Sequence, residues 1–518
     1  MVVAVAVTII SNAISRAAAV LAQVIVGLYL TESEVGAFAI ALGINGFCCV
    51  MRSGGLSYCL PTLRADEYDR AAGRYLAWGL TFASFGGILT AVSAGVAPKL
   101  PWLQAAADAP GLAPSLLLLA VRQFLVPLGL LARSRMAVNL RFGELAKLDS
   151  AIAILRLALT WVCAHEGLGT LAMVIPIVAT SVAETIYCLC VAGLTRESFR
   201  ARGSTLRAMA HHMSWPIAVA SLTSIGVECH YLIIGTMIPI ATVGVFYFAL
   251  QLAMQPVMMV GLAFQRVFAP LLSRIRGDRE AESHLVSRVF MGAMLLVPVT
   301  TLSIGGLFPY VERMVWDGRW AEAAIPVAWL SVGATFSTAT SVLVGPLMGA
   351  RHFKALAGIE LSRTLGVFGG AMAGALLAAA LPPQGSVFLQ PAAIVAAMTS
   401  VGITMTSVIQ LGRIMRHYGL PWGDIAHHLV YGPTLSVLTV VGAVSVADSA
   451  ANSFTLPAGR TGAAIELAIA TCVFSGITIL AFRTLAESTV RAVAQLLPAP
   501  WQGLFRKVLL LGPSDDEA

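Results

Sequence analysis

Charged residues are scarce in this sequence. Only 11% of its 518 residues are Asp, Glu, Lys or Arg, whereas 58% are hydrophobic. A soluble domain of this size needs more charge on its water-facing surface. The composition therefore excludes a soluble protein and predicts an all-α protein that crosses the membrane many times.

Motifs for nucleotide, metal and redox chemistry are also missing. The sequence has no P-loop, and its nine histidines include no HExxH spacing. Its eight cysteines lie in apolar segments and form no CxxC pair, so we expect small buried side chains rather than disulfides or metal ligands. We therefore expect no cofactor, no bound metal and no catalytic residue.

What the sequence does contain is a series of long apolar runs. Fourteen of them are about 18–25 residues long, the length that crosses a hydrocarbon core of roughly 30 Å. They cover approximately residues 5–30, 35–58, 75–97, 113–132, 150–165, 168–193, 215–238, 241–265, 289–308, 323–350, 364–381, 387–411, 430–449 and 461–482. We expect each run to form one transmembrane helix.

The basic residues indicate how these helices are oriented. Six alternate loops and the tail from residue 484 carry 24 Lys and Arg, whereas the other loops carry 4. Because Lys and Arg concentrate on the cytoplasmic side of a membrane protein, this distribution predicts that both termini are cytoplasmic. The net charge of +7 then reflects topology and not nucleic-acid binding.

One short pattern occurs twice in the chain. VGAFAIAL at 35–42 returns as VGVFYFAL at 243–250, and each copy is followed by a proline and a charged stretch. Six apolar runs separate the copies, which predicts two similar six-helix lobes in the same orientation. The predicted divisions are an N-terminal lobe (1–212), a C-terminal lobe (213–428), two further helices (429–483) and a cytoplasmic tail (484–518) that is amphipathic and then disordered.

Arginines lie inside the first two apolar runs. Arg16 shares one helical face with Asn12 and Gln23, and Arg52 shares a face of the second run with Asn45. A charge at mid-membrane costs about 2.5–3.5 kcal/mol on insertion scales, so these faces are expected to line a wet, positively charged cavity. We interpret Arg16 and Arg52 as phosphate-binding, because a guanidinium binds phosphate oxygens at two points. A structural ion pair, or snorkelling to the membrane surface in the case of Arg52, is the alternative.

Two more arginines lie in the fourth and fifth runs. Arg122 and Arg156 are candidates for lining the same cavity. Glu184 in the sixth run is a possible ion-pair partner for Arg156. Because an unpaired buried charge is strongly unfavourable, such a structural pair accounts for the two charged residues as well as a role in substrate binding does. Glu184 is also a candidate for coupling transport to a proton.

The seventh and eighth runs carry polar residues of other kinds. Glu228 and His230 are coupling candidates, because both types of side chain can titrate near neutral pH when desolvated. The alternative for Glu228 is an ion pair with an arginine. Gln251 and Gln255, one helical turn apart, can line the cavity and hydrogen-bond a sugar, or they can join one helix to another.

Three blocks of the sequence resemble one known family. They are LTESEVGAFAIALGINGFCCVMRSGGLSYCLPTL, LARSRMAVNLRFGELAKLDSA and IIGTMIPIATVGVFYFALQLAMQPVMMVGLAFQRVFAPLLSRIRGD. Their acidic turn, arginine-rich loop and Pro-x-x-Ser-Arg stretch are similar to those of the bacterial polysaccharide transporter family. Its members are oligosaccharide flippases of the multidrug/oligosaccharidyl-lipid/polysaccharide flippase superfamily. The three blocks lie within about the first 290 residues.

The resemblance implies a function in the bacterial plasma membrane. It implies two lobes that alternately open a cationic cavity and move undecaprenyl-diphosphate-linked oligosaccharides to the outer leaflet, for O-antigen, capsule or exopolysaccharide assembly. The expected partners are this substrate and membrane lipids, without nucleic acid, and a polysaccharide polymerase is left open. Arg16 and Arg52 match arginine positions of the related lipid II flippases. Gln23 stands where that branch tends to have another arginine, which favours a polysaccharide unit over lipid II.

Two alternatives belong to other functional classes. A cation-coupled multidrug antiporter of the same superfamily typically lines its cavity with carboxylates and aromatic residues, whereas this chain has five arginines in or at the ends of its apolar runs and two glutamates near their centres. A membrane glycan polymerase or ligase usually builds its site on a large external loop. The non-cytoplasmic loops here have no more than about 15 residues, so we do not expect an enzyme.

Overall fold

The structure is a computed structural model in which the secondary structure is helical throughout the described part of the chain. The residues that it describes are 2–51, 54–60, 63, 65–99, 111–200, 206–257, 259, 279–349, 353–381, 387–419, 422–454 and 459–484. Arg52 and the tail from residue 485 lie outside them. Among the described helices, 11 are long and apolar enough to cross a membrane.

Each predicted apolar run corresponds to one long helix. The helices are α1 (Val2–Tyr29), α2 (Glu32–Cys48), α3 (Ala65–Val96), α4 (Leu112–Val138), α5 (Phe142–His165), α6 (Leu171–Val191), α7 (Leu206–Ser224, continued by a π-helical turn at Ile225–Cys229 and by His230–Met237), α8 (Ile240–Ala253), α9 (Arg279–Trp316), α10 (Ala324–Gly349), α11 (Phe353–Ala380), α12 (Pro391–Tyr418), α13 (Trp422–Phe454) and α14 (Arg460–Thr484). The prediction of an all-α protein with fourteen long helices is therefore confirmed.

The chain forms two compact units. The first consists of Met1–Gln255 and Leu347–Thr406, and the second of Pro256–Pro346 and Ser407–Ala518. The first unit therefore contains α1 to α8, α11 and the beginning of α12, while the second contains α9, most of α10, the end of α12, α13 and α14. The two lobes predicted from the repeated pattern remain a prediction.

In the second unit, polar contacts join α9 to α13 and α14. The Tyr310 hydroxyl donates a hydrogen bond to Oδ1 of Asp448 over 2.6 Å. One turn further along α9, Nη2 of Arg313 lies 2.6 Å from Oε2 of Glu466. Because long polar side chains in apolar helices are stable only with such partners, these contacts fix the register of the three helices.

In the first unit, α1 and α5 lie side by side and run in the same direction. Near their beginnings, the Ser11 hydroxyl donates to the carbonyl oxygen of Ala146 and accepts from the hydroxyl of Ser150. At their ends, the rings of Tyr29 and His165 meet edge to face, with 6.1 Å between their centroids. Contacts at both ends set a constant register, so residues of α1 lie level with residues about 136 positions later in α5.

The acidic turn between the first two apolar runs starts α2. The Thr31 hydroxyl accepts a hydrogen bond from the backbone N–H of Glu34, whose carboxylate accepts one from the backbone N–H of Thr31 over 2.7 Å. This reciprocal capping box satisfies two backbone donors at the helix start. The carboxylates of Glu32 and Glu34 also lie where the helix dipole favours negative charge.

The two copies of the repeated pattern lie against each other. Helices α2 and α8 cross at Gly36 and Gly244, the second residue of each copy. A Cβ atom on Gly36 would overlap the carbonyl oxygen of Ile240, and one on Gly244 would overlap the carbonyl oxygen of Glu32. Only glycine permits two backbones to approach this closely, so the repeated glycine has a packing role in both copies.

Candidate functional site

Arg133 of α4 lies at the centre of a three-residue ion network. Its Nη2 atom is 2.6 Å from Oδ1 of Asp149 on α5, and its Nη1 atom is 2.6 Å from Oε1 of Glu184 on α6. Each of the three side chains is about one-third exposed. One guanidinium therefore holds three helices together, since its planar fork presents separate donors to the two carboxylates.

Two further arginines donate to hydroxyl groups of α6. Nε of Arg122 lies 3.0 Å from the Ser181 hydroxyl, and Nη2 of Arg156 lies 3.4 Å from the Thr180 hydroxyl. Arg122, Arg133 and Arg156 with their partners form a polar band along α4, α5 and α6, which we call the arginine stripe. Along α4, its arginines are 11 residues apart, or roughly 16 Å.

The environment of Arg156 makes it the member of the stripe best placed for an anion. Its side chain is exposed, and it lies within electrostatic range of Glu184 and of Tyr247 on α8. Glu184 forms its ion pair with Arg133, so the sequence-based alternative of an Arg156–Glu184 pair is not what the structure contains. A guanidinium has five donors, and Thr180 accepts from Arg156 through one of them.

Arg16 lies on α1 at the level of this network. It is half-buried and follows Ser15, whose hydroxyl is 3.4 Å from the carbonyl oxygen of Asp149. Asn12, one turn earlier, is also half-buried, and Gln23 is buried. The parallel register of α1 and α5 therefore brings Arg16 close in height to the Arg133–Asp149 pair.

Asn45 of α2 belongs to a contact between helices. Its Oδ1 atom accepts a hydrogen bond from Nε2 of Gln123 on α4 over 2.7 Å, and both side chains are fully buried. The Cys49 thiol is 3.4 Å from the Thr90 hydroxyl of α3. The structure thus places Asn45 at a junction of α2 with α4, whereas the sequence suggested a position on the cavity wall.

The polar residues of α7 and α8 occupy different surroundings. Glu228 lies in the π-helical turn and packs on Gly46 of α2, where a Cβ atom would come 2.9 Å from its Oε2 atom. His230 is 1% exposed and contacts the aromatic rings of Tyr231 and Phe246. Gln251 and Gln255 on α8 are both half-buried.

Sequence reasoning missed Arg133 as a member of the site. The fourth apolar run was predicted to end near residue 132, just before Arg133, although α4 extends to Val138. A signal was present, because Arg133 follows Arg122 by 11 residues and therefore shares its helical face. Thr180, Ser181 and Tyr247 carried no such signal, since apolar helices contain many hydroxyl groups that only bond to their own backbone.

Removing Arg133 is expected to destabilise the first unit. An Arg133→Ala exchange leaves Asp149 and Glu184 close together without their shared cation. Breaking a buried pair costs about 3–5 kcal/mol and an exposed one about 1 kcal/mol or less, so about 1–3 kcal/mol is expected for these partly exposed groups. The measurement is the thermal unfolding midpoint of the purified protein in detergent.

A charge-neutral variant provides the control for this prediction. Adding Asp149→Asn and Glu184→Gln to Arg133→Ala removes the two orphaned negative charges and should restore most of the lost stability. If the triple variant unfolds at the same temperature as the single one, charge imbalance is not the cause of the loss.

Residues 25–325 match the family described as polysaccharide biosynthesis protein. No curated protein matches the sequence. The match to the family covers more than half of the chain, and it agrees with the resemblance found in the three sequence blocks.

Solved structures with the same fold are membrane transporters. The lipid II flippase MurJ in an inward closed conformation has a TM-score of 0.64 and 13% identity, over 92% of this chain and 99% of that chain. MATE in complex with MaD5 has a TM-score of 0.54 and 14% identity, over 80% and 96% of the two chains. MATE in the straight conformation has a TM-score of 0.51 and 14% identity, over the same shares. The chain belongs to the polysaccharide biosynthesis protein family and has the same fold as the lipid II flippase MurJ and the MATE transporters.

Proposed function

We propose that the protein moves undecaprenyl-diphosphate-linked oligosaccharide units from the cytoplasmic to the outer leaflet of the bacterial plasma membrane. The observation that carries the proposal is the arginine stripe inside a flippase fold. Guanidinium groups within membrane helices are costly unless they serve a polar ligand or partner, and a diphosphate is the ligand that they bind best. The units would serve O-antigen, capsule or exopolysaccharide assembly.

In the proposed mechanism, arginines hold the diphosphate while the sugars stay in a polar cavity. Arg16 and Arg52 are the proposed diphosphate ligands, and Arg156 and Arg122 of the stripe extend the positive surface along α4 and α5. Gln251 would hydrogen-bond sugar hydroxyls. The arginines attract the diphosphate strongly only if the cavity excludes most water. Alternating access, in which the two lobes (1–212 and 213–428) rock and close the cavity on one side at a time, excludes that water.

Three acidic or titratable side chains remain candidates for coupling. Glu184 is bound to Arg133, so its protonation would release one arm of the guanidinium. Glu228 lies in an irregular turn of α7, and His230 lies directly after that turn. Coupling through any of them would link substrate movement to a proton or to the membrane potential.

A cation-coupled multidrug antiporter is the second candidate function. The observation that favours it is the fold, which is shared with the MATE transporters. A carboxylate in the middle of α7 would suit a cationic drug. The arginine stripe argues against this function, because it would repel such a substrate.

Mass spectrometry of undecaprenyl-linked glycans in a deletion strain tests the proposal. A complete lipid-linked unit should accumulate in the deletion strain and disappear when the wild-type gene is returned. An unchanged glycan pool together with raised sensitivity to cationic drugs would refute the flippase proposal and support the antiporter. Turnover of a lipid-linked glycan by the purified protein in detergent would instead identify an enzyme.

A further inference from the structure

A cavity of about 200 Å³ lies between the end of α2 and the middle of α7. Its polar lining comes from Ser57 and Tyr58 on one side and from Thr223, Ser224 and Glu228 on the other. The Tyr58 and Thr223 hydroxyls are 3.4 Å apart across it. The cavity is separate from the arginine stripe, whose members lie on α4, α5 and α6.

Both walls of this cavity have irregular backbone. Helix α2 ends at Cys48, and the chain then turns through Gly54 and Gly55, which have φ angles of 51° and 79°. These are left-handed conformations that glycine adopts without strain. On the other side, α7 contains the π-helical turn Ile225–Cys229. In membrane proteins, interrupted helices and π-helical turns are frequent at binding sites, because they turn backbone and side-chain polar groups toward a ligand.

Ser224 gives an independent indication that the cavity takes a ligand. Its side chain is 9% exposed, and its hydroxyl has no hydrogen-bond partner among the described residues. A buried hydroxyl without a partner is unfavourable, so native structures satisfy such groups with water or with a ligand. Ser224 lines the cavity, and a ligand in the cavity would supply the missing partner.

The chemistry of the lining selects a neutral ligand rich in hydroxyl groups. The lining has four hydroxyl side chains, of which Thr223 donates to the carbonyl oxygen of Val219 and can therefore only accept from a ligand, and the Glu228 carboxylate accepts. A carboxylate repels phosphate, and neither Lys nor Arg is among the described residues that line the cavity. Since liquid water takes about 30 Å³ per molecule, the volume corresponds to roughly seven waters, which is comparable with one six-membered sugar ring.

We propose that this cavity binds one sugar ring of the glycan that the protein carries. Ser224, Thr223 and Tyr58 provide hydroxyl partners for the ring, and Glu228 accepts from a sugar hydroxyl. Gly46 of α2 has no side chain, which leaves the space that the Glu228 carboxylate occupies. This inference rests on the proposed function, since it assigns the sugar of the proposed substrate to this cavity.

The test compares two lipids by native mass spectrometry of the full-length protein in nanodiscs. One is the lipid-linked glycan pool extracted from the deletion strain, and the other is undecaprenyl diphosphate without sugar. Wild type should bind the glycan lipids more tightly. Ser224→Leu, which fills the cavity and removes a hydroxyl, should weaken glycan-lipid binding on the order of tenfold and leave undecaprenyl diphosphate binding unchanged.

Two further variants keep the test independent of one substitution. Ala220→Leu fills the same cavity and keeps every polar group, so it should reproduce the loss for the glycan lipids. Ser445→Leu places the same new side chain at an exposed position of α13 and should change neither affinity. If Ser224→Leu does not fold, the comparison is made with Ala220→Leu and with Ser224→Ala.

Each other outcome overturns the inference in a recognisable way. If wild type binds both lipids with equal affinity, the sugar site is refuted and the flippase proposal is not. If wild type binds neither lipid, both the sugar site and the flippase proposal are refuted. Equal weakening of both lipids by the cavity variants would show a purely structural role. The unfolding midpoint of wild type and of the cavity variants is also measured with and without sodium. If sodium raises the midpoint of wild type but not that of the variants, and the lipid affinities are unchanged, the cavity is a cation site instead.

Discussion

An Arg16→Ala exchange is expected to abolish glycan export while the protein remains folded in the membrane. Arg16 is half-buried on α1, next to Ser15, which contacts the backbone of Asp149. A hydrogen bond to a charged group contributes about 1.5–3 kcal/mol, and a guanidinium can form two with a diphosphate. The loss of each of these two hydrogen bonds should lower substrate affinity tenfold or more. The measurement is the accumulation of lipid-linked glycan in the deletion strain that carries the variant.

Two other exchanges separate phosphate binding from a general effect of lost charge. Arg16→Lys keeps the charge but lacks the planar fork, so export should be reduced and not abolished. Arg460→Ala removes an arginine whose contact with Asp317 is 3.8 Å long and well exposed, and it should export normally, because such pairs contribute little. Normal export by Arg16→Ala would show that this arginine is not a diphosphate ligand.

Gly244→Ala is expected to be the most damaging of the small substitutions for stability. The new Cβ atom would overlap the carbonyl oxygen of Glu32, which belongs to the backbone of α2 and cannot rotate away. Forcing extra atoms into a packed contact costs about 1–3 kcal/mol, and a backbone clash lies at the upper end of that range. A lower thermal unfolding midpoint and less folded protein in the membrane should result. Gly36→Ala should behave in the same way, because it meets the Ile240 carbonyl oxygen.

Gly369→Ala is the matched control for this crossing. Gly369 also lies inside a long helix, α11, and a Cβ atom there would have no neighbour within 4 Å. Since alanine favours a helix over glycine by about 1 kcal/mol, this variant should be as stable as wild type or slightly more so. Equal stability of Gly244→Ala and Gly369→Ala would mean that α2 and α8 do not pack as closely as the structure has them.

The helices could be predicted from the sequence because their signal is local. A run of apolar residues long enough to cross a membrane must satisfy its backbone hydrogen bonds within itself, and only a helix does so. The start of α2 at the acidic turn could be predicted for the same reason, since a capping box needs only Thr31 and Glu34 at a fixed spacing. The family resemblance also came from short contiguous blocks.

The hydrogen-bond and ion-pair partners of the polar side chains could not be predicted from the sequence. The sequence offered Arg156 as the partner of Glu184, whereas the structure pairs Glu184 with Arg133. Asn45, which follows the pattern of a cavity face, instead bonds to Gln123 between helices. An apolar helix with one polar face can turn that face toward a cavity or toward a neighbour, and helical periodicity is the same in both cases.

The sequence alone determined that this is an all-α membrane protein, which fourteen stretches of the chain form its long helices, and to which family it belongs. These properties depend on residue type and on spacing along the chain. The tertiary structure decided that the two repeated glycines meet, that Arg133 joins three helices, and that α2 and α7 enclose a cavity beside Ser224. Each of these depends on residues that are distant in sequence, and their meeting follows from how whole helices pack, which no single segment encodes.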